Sequence, residues 1–338
     1  MLKGMAGKAK NGELALIERI RDRAGVGSDA VRLGIGDDCA ILRPRAGDDL
    51  VVTTDFTLEG RHFRRGWHTA RSVGHRTLAR GLSDLAAMGA KPVAAFLSLA
   101  LTRDLARNLA WFDGFLDGFL HLGSEFGVAL AGGDTSESPS EHVLADVVLL
   151  GSVPRGKALR RSGAGAGDFL YCTGSLGGSA VELAELEKSP RRFRAAKADG
   201  DHPHLFPAPR VKAGQALLKR GLATACMDIS DGISTDLAHL CESSGVSAEV
   251  GAGSLPLHPL AGALDAEAAL KAALHGGEDY ELLFTAKAGT KMPRLLGGVP
   301  VTRIGRITAK RKGVAQVTLV GADGKKTELA PQGWEHLR

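Results

Sequence analysis

The chain has 338 residues, a formal net charge of +5, 44% hydrophobic and 24% charged residues, and only 5% aromatic residues. The length suggests two domains, and the composition is that of an ordinary globular protein. The scarcity of aromatics argues against a base-stacking nucleic-acid surface, and the basic residues fall in separate stretches (Lys3–Lys10, Lys188–Lys197, Lys310–Lys312) rather than in one patch.

Residues 13–23 read as a short helix and 50–54 as a strand. Residues 70–87 read as a helix, with Thr69 at its N-cap and Gly89 just past its end. The apolar run Pro92–Leu101 suits a strand. Leu105, Leu109, Phe112, Leu116 and Phe119 keep helical spacing, and Gly127 stops that helix. Strands are expected at 128–131 and 142–153. A composition change at Pro154 sets a domain boundary near 153, and residues 160–167 read as a flexible connector. The second half restarts with a strand at 168–172 and a helix at 179–187. Residues 188–207, basic and broken by prolines, read as a mobile loop. Helices at 209–220, 232–243 and 265–274 and strands at 223–229, 246–250, 280–285, 301–307 and 314–320 complete a mixed α/β or α+β chain.

No apolar run reaches the roughly 18 residues needed to span a bilayer, and Met1–Lys10 lacks the apolar stretch of a signal peptide. Cys39, Cys172, Cys226 and Cys241 show no C-x-x-C spacing, so a zinc or redox motif is unsupported. A cytoplasmic protein without nucleic-acid or membrane partners is expected.

The chemistry concentrates in acids at the ends of apolar runs. Thr224–Asp236 carries Asp228 and Asp231, three residues apart, before a glycine and an amphipathic helix pattern. Asp55 ends Leu50-Val-Val-Thr-Thr-Asp55, and Asp134 ends Ala129-Leu-Ala-Gly-Gly-Asp134. Asp37 and Asp38 follow a Gly-x-Gly turn, Asp84 follows Gly81-Leu-Ser, and Glu278 and Asp279 follow Gly276-Gly277. A single such acid is as well explained by a turn or a helix cap. Their recurrence favours hard cations holding phosphates, because Mg²⁺ takes carboxylate, phosphate and water oxygens. Thr173-Gly-Ser-Leu-Gly-Gly178 resembles a phosphate cradle but lacks the Lys-Ser/Thr ending of a Walker loop, so a plain turn is the better reading. Arg161 reads equally as a phosphate-binding fork or as a surface charge.

Several stretches together go further: Gly34-Ile-Gly-Asp-Asp-Cys-Ala40, Thr53-Thr-Asp55, Gly60-Arg-His-Phe63, Leu82-Ser-Asp-Leu-Ala-Ala-Met-Gly-Ala-Lys-Pro92, Gly132-Gly-Asp-Thr135, Arg161-Ser-Gly163, Asp228-Ile-Ser-Asp-Gly232 and Gly276-Gly-Glu-Asp-Tyr-Glu-Leu282. With these in order along its length, the chain resembles the thiamine-monophosphate kinase family. The wider superfamily includes aminoimidazole ribonucleotide synthetase, selenophosphate synthetase and a hydrogenase maturation factor. The absence of a cysteine before Cys39 and of one at the C-terminal end favours the thiamine branch.

The resemblance implies two domains. Residues 1–153 would form a mixed-sheet domain that dimerises, and 154–338 an α/β domain completing an ATP site between them. It implies ATP as co-substrate, several Mg²⁺ ions, thiamine monophosphate as acceptor, and a homodimer. It places metal ligands at Asp38, Thr53, Thr54, Asp55, Asp84, Asp134, Asp228 and Asp231, with Asp55, Asp84 and Asp134 central. Nucleotide contacts would be Gly133, Asp134, Arg161 and Ser230, and substrate contacts His62, Glu278 and Trp334. Two other readings stay open on the residues: a superfamily enzyme with a different acceptor, and a nucleotide-binding regulator without turnover. ADP release tested across acceptors separates the three.

Overall fold

The computed structural model describes residues 13–24, 28–107, 109–311 and 313–333. The chain divides into two compact units. The first comprises residues 1–46, 52–81 and 92–150; the second comprises 47–51, 82–91 and 151–338.

The first unit begins with α1 (Glu13–Ala24), the short pair β1 (Val31–Leu33) and β2 (Ile41–Leu42), and β3 (Asp48–Leu58). The long helix α2 (Ala70–Ala87), whose residues 82–87 belong to the second unit, leads to β4 (Lys91–Leu101). Thr69 caps α2 as expected: its Oγ1 accepts the Ser72 N–H at 3.2 Å. Helical residues follow Thr102 as expected, in α3 (Arg103–Arg107) and α4 (Leu109–Phe126), and then come β5 (Ala129–Glu137) and β6 (Leu144–Pro154). The four long strands form one sheet in the order β3-β6-β4-β5. β4 and β5 run parallel, with Leu97 opposite Gly133 and Ser98 opposite Asp134. Parallel neighbours need a crossover, and α3 and α4 supply it.

β5 is longer than its apolar run suggests. Residues 132–137, beyond the strand expected at 128–131, stay in β5 because β4 offers a pairing edge along its whole length. α2 and α4 cross at a pair of glycines. A Cβ on Gly74 would lie 1.8 Å from the Phe115 carbonyl oxygen, and one on Gly118 would lie 1.9 Å from that of Arg71. The close crossing leaves Val73, Leu78, Phe112, Phe115, Leu116 and Phe119 essentially inaccessible to water.

The second unit holds β7 (Phe169–Thr173), α5 (Gly178–Lys188), α6 (Val211–Arg220), β8 (Ala225–Asp228), α7 (Ile233–Ser244) and β9 (Val246–Gly251). It continues with α8 (Pro259–Gly262), α9 (Ala266–His275), β10 (Leu282–Ala286), β11 (Leu295–Leu296), β12 (Val299–Ala309), β13 (Val317–Val320) and β14 (Lys326–Glu328). Its sheet runs β14-β13-β9-β12-β7-β10-β8, with β11 paired to β12. Leu170, Cys172, Met227, Ile233, Leu237 and Leu283 build one apolar core beneath it.

Two sequence expectations are corrected here. The 160–167 connector is tied down: Arg160 O accepts the Cys226 N–H, and the Ser244 hydroxyl bonds both Arg161 O and Ala164 N. The end of the 188–207 segment is buried rather than solvated, with His204, Leu205 and Phe206 at most 5% exposed. Buried acceptors on neighbouring elements hold both segments, and local composition does not reveal such partners. Among the described residues, no helix is long and apolar enough to cross a membrane.

Candidate active site

In the first unit β4, β5 and the Gly-x-Gly turn share one open cavity of about 1050 Å³. That volume lies at the upper end of small-ligand pockets. Asp37, Asp38, Gly133, Asp134 and Thr135 line it, and α1 contributes Arg21. Arg19 and Arg23 dock α1 on α4 through ion pairs with Asp113. Asp37 turns one oxygen onto the Asp38 N–H at 2.9 Å, while the Asp38 side chain is exposed. Gly133 has φ +149°, and a Cβ there would lie 1.9 Å from the Leu97 carbonyl oxygen. Only glycine fits, because the β4 backbone occupies the place of a side chain.

β3 separates its three candidate ligands by pleat. Thr53 and Asp55 point to one face and Thr54 to the other, as the two-residue period requires. The Thr54 hydroxyl donates to Asp146 at 2.9 Å. Asp55 lies 3.4 Å from the Arg80 guanidinium. His62 is half-buried, and its Nδ1 accepts the Leu58 N–H at 2.9 Å.

In the second unit β8 delivers Asp228 at its end, 5% exposed. The buried Ser83 hydroxyl, one residue before Asp84, donates to Asp228 at 2.7 Å. Past Asp228 the chain turns into α7, and Asp236 in the first turn of that helix accepts the N–H groups of both Ser230 and Asp231 at 3.0 Å. Burial, and then the charges of Asp228 and Asp231, push the Asp236 carboxyl well above the ordinary aspartate range.

The loop before β10 is stitched to this turn. Glu278 N–H donates to Ser230 O at 2.7 Å, and Tyr280 N–H donates to Ile229 O at 2.9 Å. Among the described residues, those other than glycine with positive φ are Glu278 and Tyr280, at 64° and 51°. Held backbone of this kind concentrates at functional sites. Asp279 between them accepts the N–H groups of Gly177 (2.7 Å) and Ser179 (3.2 Å) at the start of α5. Glu281 accepts from the Thr173 hydroxyl, from Ser175 N–H and from the Arg210 guanidinium through both oxygens. The turn at 173–178 therefore spends donors on the chain's own carboxylates and on the carbonyls of Pro256 and Pro300, and the plain-turn reading stands over the phosphate cradle.

Arg161 is exposed, and Trp334 lies outside the described residues. Among the described residues, no three His, Cys, Asp or Glu side chains converge on a single metal position. Ser83, Asp236, Glu281, Arg210 and His204 support the site without having been singled out for it, and Asp279, counted among the acids, serves main-chain N–H groups. Asp279 and Glu281 lie inside the Gly-Gly-Glu-Asp-Tyr-Glu-Leu stretch, whereas Arg210 and His204 lie in or beside a segment that reads as mobile.

Two domain models match this chain: AIR synthase related protein, N-terminal domain, over residues 36–153, and its C-terminal counterpart over residues 165–318. The thiamine-monophosphate kinase of Escherichia coli K12 is 40% identical over 335 residues, covering 96% of this chain and 98% of that protein. The chain belongs to the thiamine-monophosphate kinase family. A crystal structure of the family's member from Stenotrophomonas maltophilia K279a is 38% identical, with a TM-score of 0.78 over 93% of this chain and 98% of that one. A second structure, of AaThiL complexed with AMPPCP and TMP, is 31% identical, with a TM-score of 0.74 over 96% of this chain and 97% of that one. The mixed two-part fold is thus the family's own.

Proposed function

We infer that the protein transfers the γ-phosphoryl group of ATP to the phosphate of thiamine monophosphate, giving ADP and thiamine diphosphate. The observation that carries this reading is the relative captured with AMPPCP and TMP together, since this chain aligns with it over 96% of its length.

A phosphate monoester has a second pKa near 6, so the acceptor oxygen is already ionised at neutral pH and no side-chain base is required. The chemical obstacle is repulsion between two anions. The donors proposed for the metals (Asp38, Thr53, Thr54, Asp55, Asp84, Asp134, Asp228 and Asp231) are all oxygen, which suits Mg²⁺. Mg²⁺ keeps waters and takes substrate phosphates beside one or two carboxylates. Bound Mg²⁺ supplies charge neutralisation and in-line alignment of the two phosphates. The backbone of Gly133, with Arg161 and Ser230, is proposed to hold the nucleotide. His62, Glu278 and Trp334 are proposed to hold thiamine monophosphate. Of these, Glu278 offers a carboxylate to the permanent positive charge of the thiazolium ring, and Trp334 an aromatic face.

The reading includes a homodimer. The apolar runs 93–101 and 142–153 do not support it, because the chain itself covers most of them: Val93, Ala95, Leu97, Leu99, Val147 and Leu149 are at most 5% exposed. β3 does support it, with Leu50, Val52 and Phe56 on one exposed face of an end strand. A cytoplasmic location is supported by four free cysteines. For the domains we keep 1–153 and 154–338. A coupled ADP-release assay tests the function. ADP should form with ATP, Mg²⁺ and thiamine monophosphate, and should fail to form when thiamine replaces its monophosphate. ATP binding with no turnover on any acceptor would overturn the reading.

A further inference from the structure

Glu182 on α5 is a buried carboxylate, 2% exposed. It accepts the N–H groups of His204 (2.7 Å) and Leu205 (3.3 Å), and it lies 2.6 Å from His202 Nδ1. This grip fixes the backbone at 202–205 and drives the His204 ring inward, to 1% exposure. One helical turn before Glu182, the Ser179 hydroxyl lies 3.2 Å from His204 Nδ1. The same nitrogen lies 3.4 Å from Glu278 Oε2.

A carboxylate only accepts, so the arrangement is favourable with the proton on Nδ1, shared between Glu278 and the Ser179 oxygen. The other Glu278 oxygen, Oε1, lies 3.5 Å from the Tyr280 hydroxyl. Glu278 is therefore held at three points: its backbone by Ser230, one carboxylate oxygen by His204 and the other by Tyr280. Its backbone sits at φ 64°, a conformation that costs free energy in a residue with a Cβ. A surface glutamate with no task would relax. One fixed from both sides can present its charge to a ligand without first losing side-chain entropy.

We propose that His204 is a positioning residue for thiamine monophosphate, orienting the Glu278 carboxylate through Nδ1, with Glu182 and Ser179 holding the ring in place. The inference rests on the assignment of Glu278 to the substrate.

Two replacements separate positioning from packing. His204→Asn keeps a donor close to the place of Nδ1 and loses ring volume. His204→Phe keeps the volume and loses the donor. His204→Leu, a smaller apolar replacement, takes the place of the Phe variant should that one not fold. Positioning requires the apolar variant to raise KM for thiamine monophosphate about 3- to 10-fold, the range of one ordinary hydrogen bond. It also requires KM for ATP to stay within about twofold, and the Asn variant to recover most of the loss. The reverse order, with Asn worse than Phe or Leu, or an equal rise in both KM values, would overturn the proposal. Glu278→Gln is measured alongside. If it raises KM for thiamine monophosphate and the His204 variants do not, the proposal fails and the Glu278 assignment survives. If Glu278→Gln leaves that KM unchanged, the assignment fails and the proposal falls with it.

Discussion

The Ser83 hydroxyl donates to the Asp228 carboxylate at 2.7 Å, and both side chains are at most 5% exposed. The serine of Leu82-Ser-Asp84 thus orients an acid 145 positions further along the chain instead of offering its oxygen to a ligand. Donors behind a metal-binding carboxylate change metal affinity by about 10- to 100-fold when removed. Ser83→Ala should raise the Mg²⁺ concentration for half-maximal activity by roughly 10-fold and lower stability by about 1–2 kcal/mol. A Mg²⁺ titration of turnover, run beside a thermal melt, checks both. An unchanged Mg²⁺ requirement would leave Ser83 with a purely structural part.

Asp55→Asn and Asp84→Asn should each abolish turnover while leaving the fold intact. Each change removes a negative oxygen and keeps the size of the side chain. Asp55 also faces the Arg80 guanidinium at 3.4 Å, so its replacement leaves one cation less balanced at the surface of β3. Circular dichroism should be unaltered. Near-normal rates at saturating Mg²⁺ in either variant would remove that acid from the proposed metal set.

The crossing of α2 and α4 makes a packing prediction. Gly74→Ala and Gly118→Ala place a methyl within 2 Å of a carbonyl oxygen (1.8 and 1.9 Å), so the helices must move apart. Overpacking of this kind costs about 1–3 kcal/mol, occasionally more. Gly262→Ala is the control: nothing lies within 4 Å of its added Cβ and its φ is unstrained. Denaturant melts should show a clear loss for the first two and almost none for the third.

How far the chain can be read in advance depends on the range of the interactions. Helices α2 and α4 were legible because their apolar spacing, the Thr69 cap and Gly127 are local signals. The extension of β5 through Gly132–Glu137 was not, since glycines and an acid look like a turn until β4 supplies an edge. Nor could the acids be sorted. Asp236 and Asp279 both spend their oxygens on main-chain N–H groups, whereas Asp228 takes a hydroxyl from a distant helix. In sequence all three are an aspartate close to a glycine. His204 stayed hidden because its anchor, Glu182, precedes it by 22 residues across a segment rich in Arg and Pro.

Burial pushes the Asp279 carboxyl up, to about 7 from its ordinary 3.8, and outweighs the two N–H groups that favour its ionised form. A group with a raised native pKa binds more protons folded than unfolded. Its contribution is complete below 3.8 and is lost as pH rises towards about 7. One such proton gives a slope of at most about 1.4 kcal/mol per pH unit. Urea melts across that window should therefore show a steeper decline in the wild type than in Asp279→Asn, where no proton can be taken up at this position. Parallel slopes would mean that the α5 N–H groups keep Asp279 ionised in the folded protein.

The exposed face of β3 predicts how the chain associates. Leu50, Val52 and Phe56 are 47%, 59% and 61% exposed, and they alternate along one side of an end strand. Three large apolar groups in a row on a strand that ends its sheet among the described residues promote association unless they are covered. A second copy of the chain is the simplest cover, because a two-fold axis brings the same patch against itself. A single Phe56→Glu replacement would then be felt twice, setting two carboxylates against each other in an apolar contact. Its effect on the isolated protomer should be small, since the side chain it replaces is mostly in water. Light scattering at micromolar concentration should report a dimer for the wild type and a monomer for Phe56→Glu, with unchanged circular dichroism. Val52→Glu should act in the same way. A wild type that runs as a monomer would overturn the dimer. A dimer that persists in both variants would move the interface away from β3.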